Sequence, residues 1–248
     1  MAKRQFGVST HLFRTQRLSR DHLLAIAAHG FETAEIVATP GHVDAANPRA
    51  IADVQQWLAE AGLELNSVHV PARLPAFRSS PGTNGSRAAE DDVEQALFIA
   101  RRIPIKVFVM HLEGTRDAAR RRVERIVKLA EPLGVAVAID ASDLSRPGSA
   151  VHFIEEETDA PLGICLDFGR AQRDGDVIDA LEVVAEHLAA VRVPVDSAID
   201  WPSALATVQK IGYDGALIFE VEPRGPANET LARAKAAREK MERWLTSI

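Results

Sequence analysis

Five apolar runs in this chain end on residues able to move protons or hold a cation: Ser67-Val68-His69, Val109-Met110-His111, Ile139-Asp140, Cys165-Leu166-Asp167 and Phe219-Glu220. They belong to a series of eight runs, each followed by a helical pattern. In a parallel strand–helix array all strand C-termini lie on one face, so these imidazoles and carboxylates converge there. Side chains alternate along a strand, so Glu220 and Glu222 point the same way, as do Cys165 and Asp167. Asp140, Asp167 and Glu220 then surround one half of the ring. Converging carboxylates repel and need a cation, a proton or a basic side chain between them. A hard divalent ion with oxygen ligands is one answer. Arg170, three residues after Asp167, is another. Each carboxylate could instead cap the next helix or pair with a nearby base. His69 and His111 could bind a substrate hydroxyl, orient a partner, or be satisfied rim histidines.

The elements that must position these groups follow from hydrophobic period and turn residues. Strands are expected over Phe6–Thr10, Ala34–Ala38, Glu64–His69, Ile105–His111, Val135–Asp140, Leu162–Asp167, Ala190–Val195 and Ala216–Val221. Helices are expected between them, among them Pro48–Ala61, Arg87–Arg102, Ser149–Thr158, Asp176–His187, Trp201–Ile211 and a last one over Glu229–Leu245. Val123, Ile126, Val127 and Ala130 form the buried stripe of a further helix, stopped by Gly134. The strands are continuously apolar, as in sheets covered on both faces. With 248 residues and no linker or composition shift, the reading is a single (β/α)8 barrel over residues 1–248. A doubly wound open sheet is less favoured, because the first strand–helix turn lacks a glycine-rich phosphate fingerprint.

Composition excludes several functions. The formal charge is −6 and no long basic run exists; Arg120-Arg121-Arg122 sits on a helical face, so nucleic acid is not an expected partner. The single cysteine, Cys165, gives no disulfide framework and reads as a small buried hydrophobe rather than a nucleophile. No signal-peptide core or bilayer-length apolar stretch is seen, so a cytoplasmic location and no membrane partner are expected. There is no G-x-S-x-G elbow, Walker loop or H-E-x-x-H, and Lys106 lies too early in its strand for a Schiff base at the C-terminal face.

The sequence resembles the xylose-isomerase-like TIM-barrel superfamily of sugar isomerases, sugar epimerases and family 2 apurinic endonucleases. The resemblance is carried by Gly7-Val8-Ser9-Thr10, Gly30-Phe31-Glu32-Thr33-Ala34-Glu35, Val68-His69-Val70-Pro71 and Met110-His111-Leu112-Glu113-Gly114. Its most specific parts are Cys165-Leu166-Asp167-Phe168-Gly169-Arg170-Ala171, Ile199-Asp200-Trp201 and Ile211-Gly212-Tyr213-Asp214-Gly215 leading into Ile218-Phe219-Glu220. The resemblance implies a divalent metal held by Glu, Asp, His and Glu from strands 5 to 8, with the two glutamates shuttling a proton beside the substrate carbonyl. By position these roles fall on Asp140, Asp167 and Glu220. Two departures stand out. The strand 6 motif ends in Gly169-Arg170 where the family has Gly-His, and strand 7 reads Val191-Arg192-Val193-Pro194-Val195-Asp196 with no histidine.

The expected function is therefore a sugar isomerase or epimerase acting on a polyhydroxy carbonyl compound, a sugar or sugar phosphate, with an incomplete metal site. Asp140 and Glu220 would exchange the proton, and Asp140, Asp167 and Glu220 would hold Mg or Mn, or no metal with Arg170 in its place. His69, His111, Arg170, Glu222 and Arg73 would bind substrate, Arg73 from the long Pro71–Ser86 loop read as a lid. The alternative is a metal-free, non-catalytic protein that binds a sugar-like ligand or a partner protein. Oligomerisation is left open.

Overall fold

The computed structural model describes residues 4–71, 93–144, 146–195, 198–222 and 225–247. Arg73 and the expected lid after Pro71 lie outside them. Eight parallel strands close into a barrel in sequence order: β1 (Phe6–Ser9), β2 (Thr33–Val37), β3 (Glu64–Val70), β4 (Val107–Met110), β5 (Ala136–Asp140), β6 (Leu162–Asp167), β7 (Leu188–Val193) and β8 (Leu217–Phe219). Closure is made by β1, which pairs with β2 at Gly7↔Thr33 and with β8 at Gly7↔Ile218. This is a (β/α)8 TIM barrel. Among the described residues no helix is long and apolar enough to cross a membrane.

Local sequence explains the intervening helices. Asn47 accepts from the Arg49 N–H ahead of Pro48, opening the helix Pro48–Ala61, and Gly62 at φ +65° ends it in the left-handed conformation glycine favours. Thr115 accepts from the Ala118 N–H to open Arg116–Ala130, whose Ala119, Val123, Ile126, Val127 and Ala130 are buried. One helix was not anticipated. Phe168–Asp174 starts directly after β6, because the Asp167 side chain accepts from the Arg170 N–H and caps it.

The period of two along each strand separates two cores. Helix-facing side chains such as Phe108, Ile139, Ile164 and Phe219 join the large outer core. Inside the barrel, small residues pack together: Val107, Val109, Ala138, Cys165 and Ala190. The next inward positions toward the strand ends are the polar ones, Asp140 above Ala138 and Arg192 above Ala190, both buried. Burial also drives the Cys165 thiol well above its ordinary range, so the cysteine is a core residue and not a nucleophile.

Closure depends on an absent side chain at Gly7. A Cβ there would lie 2.7 Å from the Ile218 Cδ1, the Thr33 Cγ2 and the Thr33 carbonyl oxygen. Gly7→Ala is expected to cost about 1–3 kcal/mol, the range for forced overpacking. Urea denaturation measures it, and a variant of wild-type stability would show that the β1–β2–β8 junction relaxes freely.

Candidate active site

At the C-terminal end of the barrel, Arg192 on β7 stands among three carboxylates. Its Nη1 donates to Asp140 Oδ2 at 2.9 Å, and its Nε and Nη2 donate to the two Glu35 oxygens at 3.2 and 3.4 Å. Its Nε also lies 3.0 Å from Glu220 Oε2. That approach is poorly directed, and Glu220 Oε2 is buried without a hydrogen bond among the described residues. Only 3% of the Arg192 side chain is exposed. Burial opposes its charge, but the surrounding carboxyl groups of Glu35, Glu220 and Asp140 outweigh it and hold the guanidinium firmly protonated.

The carboxylates differ in what holds them. Ser67 on β3, directly opposite Glu35 in the register, donates its hydroxyl to Glu35 Oε2 at 3.0 Å. Asp140 Oδ1 accepts from the Ser142 N–H at 2.9 Å and from the Ser142 hydroxyl at 2.5 Å. Burial works against its ionisation, but Arg192, His111 and Ser142 prevail and keep its carboxyl below the usual range. Glu220 goes the other way. Burial, with Glu35, Asp167 and Asp140 nearby, outweighs Arg192 and pushes it up to about 7.

Two histidines close the side nearest β3 and β4. His69 Nε2 and His111 Nε2 are 3.0 Å apart, and His111 Nδ1 lies 2.7 Å from Asp143 Oδ1. Asp143 is itself fixed by the Leu112 N–H at 2.7 Å. For His111 burial disfavours the imidazolium, yet the Asp143 bond and the Asp140 and Asp143 charges raise its pKa above the ordinary 6.5. For His69 burial, then Arg192 and His111, depress it well below that value. The pair thus divides into a charged-leaning His111 that donates at both nitrogens and a neutral His69 that accepts. His69 then keeps its proton on Nδ1, which has no hydrogen-bond partner among the described residues. Asp143→Asn is expected to lower the His111 pKa, readable in a nitrogen-15 titration of the ring. The sign follows for stability. A raised histidine contributes below its unfolded pKa and loses that contribution as pH rises through the folded one, so the variant's deficit is largest at acid pH. A His111 pKa unchanged in Asp143→Asn would contradict the assignment.

The structure brings His69, His111, Asp140 and Glu220 together. Asp167, opposite Arg192 in the register, has its Oδ1 engaged by the Arg170 N–H at 2.6 Å, and burial raises its carboxyl. Arg170 does not enter among the carboxylates: its Nε pairs with Asp174 Oδ2 at 2.7 Å on the exposed face. Glu222 is exposed on the rim, 3.3 Å from Arg14. A cavity of about 750 Å³ beside the ends of β5 and β6 is lined in part by Ser142, Asp167 and Arg170. The residues that sequence reasoning passed over are Glu35, Arg192, Asp143 and Ser67.

The chain matches the xylose isomerase-like TIM barrel family over residues 23–248. It belongs to that family. A D-psicose 3-epimerase from Clostridium cellulolyticum H10, solved with D-tagatose, superposes with a TM-score of 0.75 at 15% identity, covering 97% of this chain and 99% of that one. A D-tagatose 3-epimerase-like protein gives 0.72 at 20% identity over 98% and 97%. An AP endonuclease of family 2 from Brucella melitensis gives 0.70 at 17% identity over 92% and 97%. No curated protein matches in sequence. At such identities these likenesses speak for the fold.

For this xylose isomerase-like barrel the metal set implied for strands 5 to 8 does not fit. The strand 7 position holds Arg192, whose nitrogens already lie at ion-pair distance from Asp140 and Glu220. Asp167 Oδ1 is already engaged by the Arg170 N–H at 2.6 Å. Two groups of donors do converge within 4.8 Å, His69–His111–Asp140 and Glu35–His69–Glu220. The first has the imidazole and carboxylate chemistry a divalent ion takes. Each group, however, contains a carboxylate that Arg192 already pairs, so an added cation would face a fixed positive charge.

Proposed function

We propose that this protein is a sugar isomerase or epimerase that moves a proton on the carbon next to the carbonyl of a polyhydroxy compound. The observation that carries the reading is Glu220: a carboxylate at the mouth of the barrel, poised near neutrality and lacking a directed hydrogen bond on one oxygen. A general base works best when its pKa lies near the operating pH. Neighbouring Asp140 is pushed in the opposite direction, and such divergence between paired carboxylates separates their roles.

In this reading Glu220 takes the proton from carbon and returns it. Asp140 stays ionised and positions Arg192 and His111 rather than sharing the transfer. His69 offers its Nδ1 proton, unpartnered among the described residues, to a substrate oxygen, and His111, held by Asp143, fixes the His69 ring through Nε2. Arg192 faces the oxygen on which negative charge develops as the proton leaves. No step passes through Mg, Mn or another ion. The D-psicose 3-epimerase and the D-tagatose 3-epimerase-like protein named in the superpositions support a sugar as the substrate class.

Incubation with ketoses and ketose phosphates in D2O tests the reading. Deuterium is expected at the carbon beside the carbonyl of at least one ligand, followed by proton NMR. Binding of a sugar with no exchange would reject it. That outcome would favour a second reading, a non-catalytic sugar-binding barrel, for which the strand 7 arginine in place of histidine is the motive.

A further inference from the structure

We infer that the Arg192 guanidinium is the resident cation of this site, standing where the family resemblance calls for a divalent ion, and that it grips two neighbouring oxygens of the ligand. The placement comes first. Arg192 lies at the inward position of β7, opposite Asp167 on β6 and Ile218 on β8 in the register. Below it the barrel interior is made of Val107, Val109, Ala138, Cys165 and Ala190. Short side chains in that layer leave the volume that the arginine stem fills.

The charge balance points the same way. Glu35, Asp140 and Glu220 come from β2, β5 and the end of β8 and all three lie at ion-pair distance from this guanidinium. Removing charges from water is costly unless they are paired, and Arg192 pairs with all three. An ion bound between Asp140 and Glu220 would have to lie where the Nη1 and Nε atoms already stand, 2.9 and 3.0 Å from those carboxylates.

The donor count supplies the ligand. A guanidinium carries five N–H bonds in one plane. Three are directed at carboxylate oxygens, one each from Nε, Nη1 and Nη2. One N–H on each terminal nitrogen remains. Two such donors match two oxygens on adjacent atoms, the arrangement of an α-hydroxy carbonyl and of the cis-enediolate formed from it. As the proton leaves carbon, charge grows on these oxygens, and a fixed guanidinium stabilises it without reorganisation. The ligand class rests on the proton-transfer reading above; the exclusion of metal does not.

The test separates the two. Wild-type protein, stripped with EDTA and titrated with Mn2+ and Zn2+, is expected to retain no stoichiometric metal by elemental analysis and to melt at the same temperature with and without it. Stoichiometric metal in the wild type, through His69, His111 and Asp140 or otherwise, overturns the inference. Arg192→His removes the guanidinium and places an imidazole on strand 7, where the resemblance implies a histidine, and it is expected to take up stoichiometric Mn2+ and to melt higher when loaded. If Arg192→His folds by circular dichroism yet binds nothing, the inference is likewise overturned. If it does not fold, the wild-type titration decides alone. Absence of deuterium exchange in a metal-free wild type would fail the proton-transfer reading and leave the occupancy of the site untouched.

Discussion

Glu220→Gln is expected to slow deuterium exchange into a bound ketose by about 10²- to 10⁴-fold, the usual contribution of a positioned general base. The amide keeps the size of the side chain but cannot accept the proton. Binding should survive, because the contacts assigned to substrate oxygens come from Arg192 and His69. The loss therefore falls on kcat rather than on KM. In the wild type the rate should rise as pH passes through about 7, where Glu220 ionises. The groups facing it, Arg192, Glu35, Asp167 and Asp140, set that value together with burial. A pH–rate profile with no inflection near neutrality, or a Glu220→Gln variant with near wild-type exchange, would move the base elsewhere. Asp140 is the next candidate, at the disadvantage of a lowered pKa.

Much of this could be read without coordinates, and the exceptions share a cause. Strand 6 falls at Leu162–Asp167 as its apolar run implies, and strand 5 differs by one residue at its start. Strand ends marked by His69, Asp140 and Glu220 were visible because a polar residue closing an apolar run stands out. Glu35 and Arg192 did not close a run. Each is a single charge within a strand, Thr33-Ala34-Glu35-Ile36-Val37 and Leu188-Ala189-Ala190-Val191-Arg192-Val193. Their meaning is mutual, since each justifies the other's burial, and 157 residues separate them. The need for a cation among carboxylates was legible from charge alone. Which arginine supplied it was not, because Arg170 is near in sequence while Arg192 is near in space.

Arg192→Met should be the most damaging single change to stability. It leaves Glu35, Asp140 and Glu220 buried around an apolar side chain with no counter-charge. Removing one partner of a buried ion pair costs about 3–5 kcal/mol, and in a domain of this size each kcal/mol moves Tm by roughly 2–4 °C. The deficit should depend on pH. Without the guanidinium the three carboxyls ionise less readily in the folded than in the unfolded chain, so the folded state holds extra protons at acid pH. Stability of the variant then falls as pH rises. The wild type carries an opposite contribution from Asp140: its lowered pKa adds stability above the unfolded value, lost as pH falls through the folded one. Urea denaturation at pH 5 and pH 8 reads the variant's deficit, and a further point below about pH 4, the ordinary aspartate value, reads the Asp140 contribution. Equal stability of variant and wild type at the higher pH would mean that the carboxylates find protons or solvent without Arg192.

The pairing of Glu35 with Arg192 has a further consequence, for the order in which the chain folds. Glu35 is delivered by the second strand and Arg192 by the seventh. The early strands can form their hairpin-free parallel contacts locally, but the carboxylate they carry has no counter-charge until the late strands arrive. Contacts between distant residues pay the cost of closing a long loop before they return any stabilisation. Neutralisation of Glu35 is therefore expected late in assembly, once β7 has joined the sheet. Mutations at Arg192 should accelerate unfolding and leave the folding rate nearly unchanged, the signature of an interaction absent from the transition state.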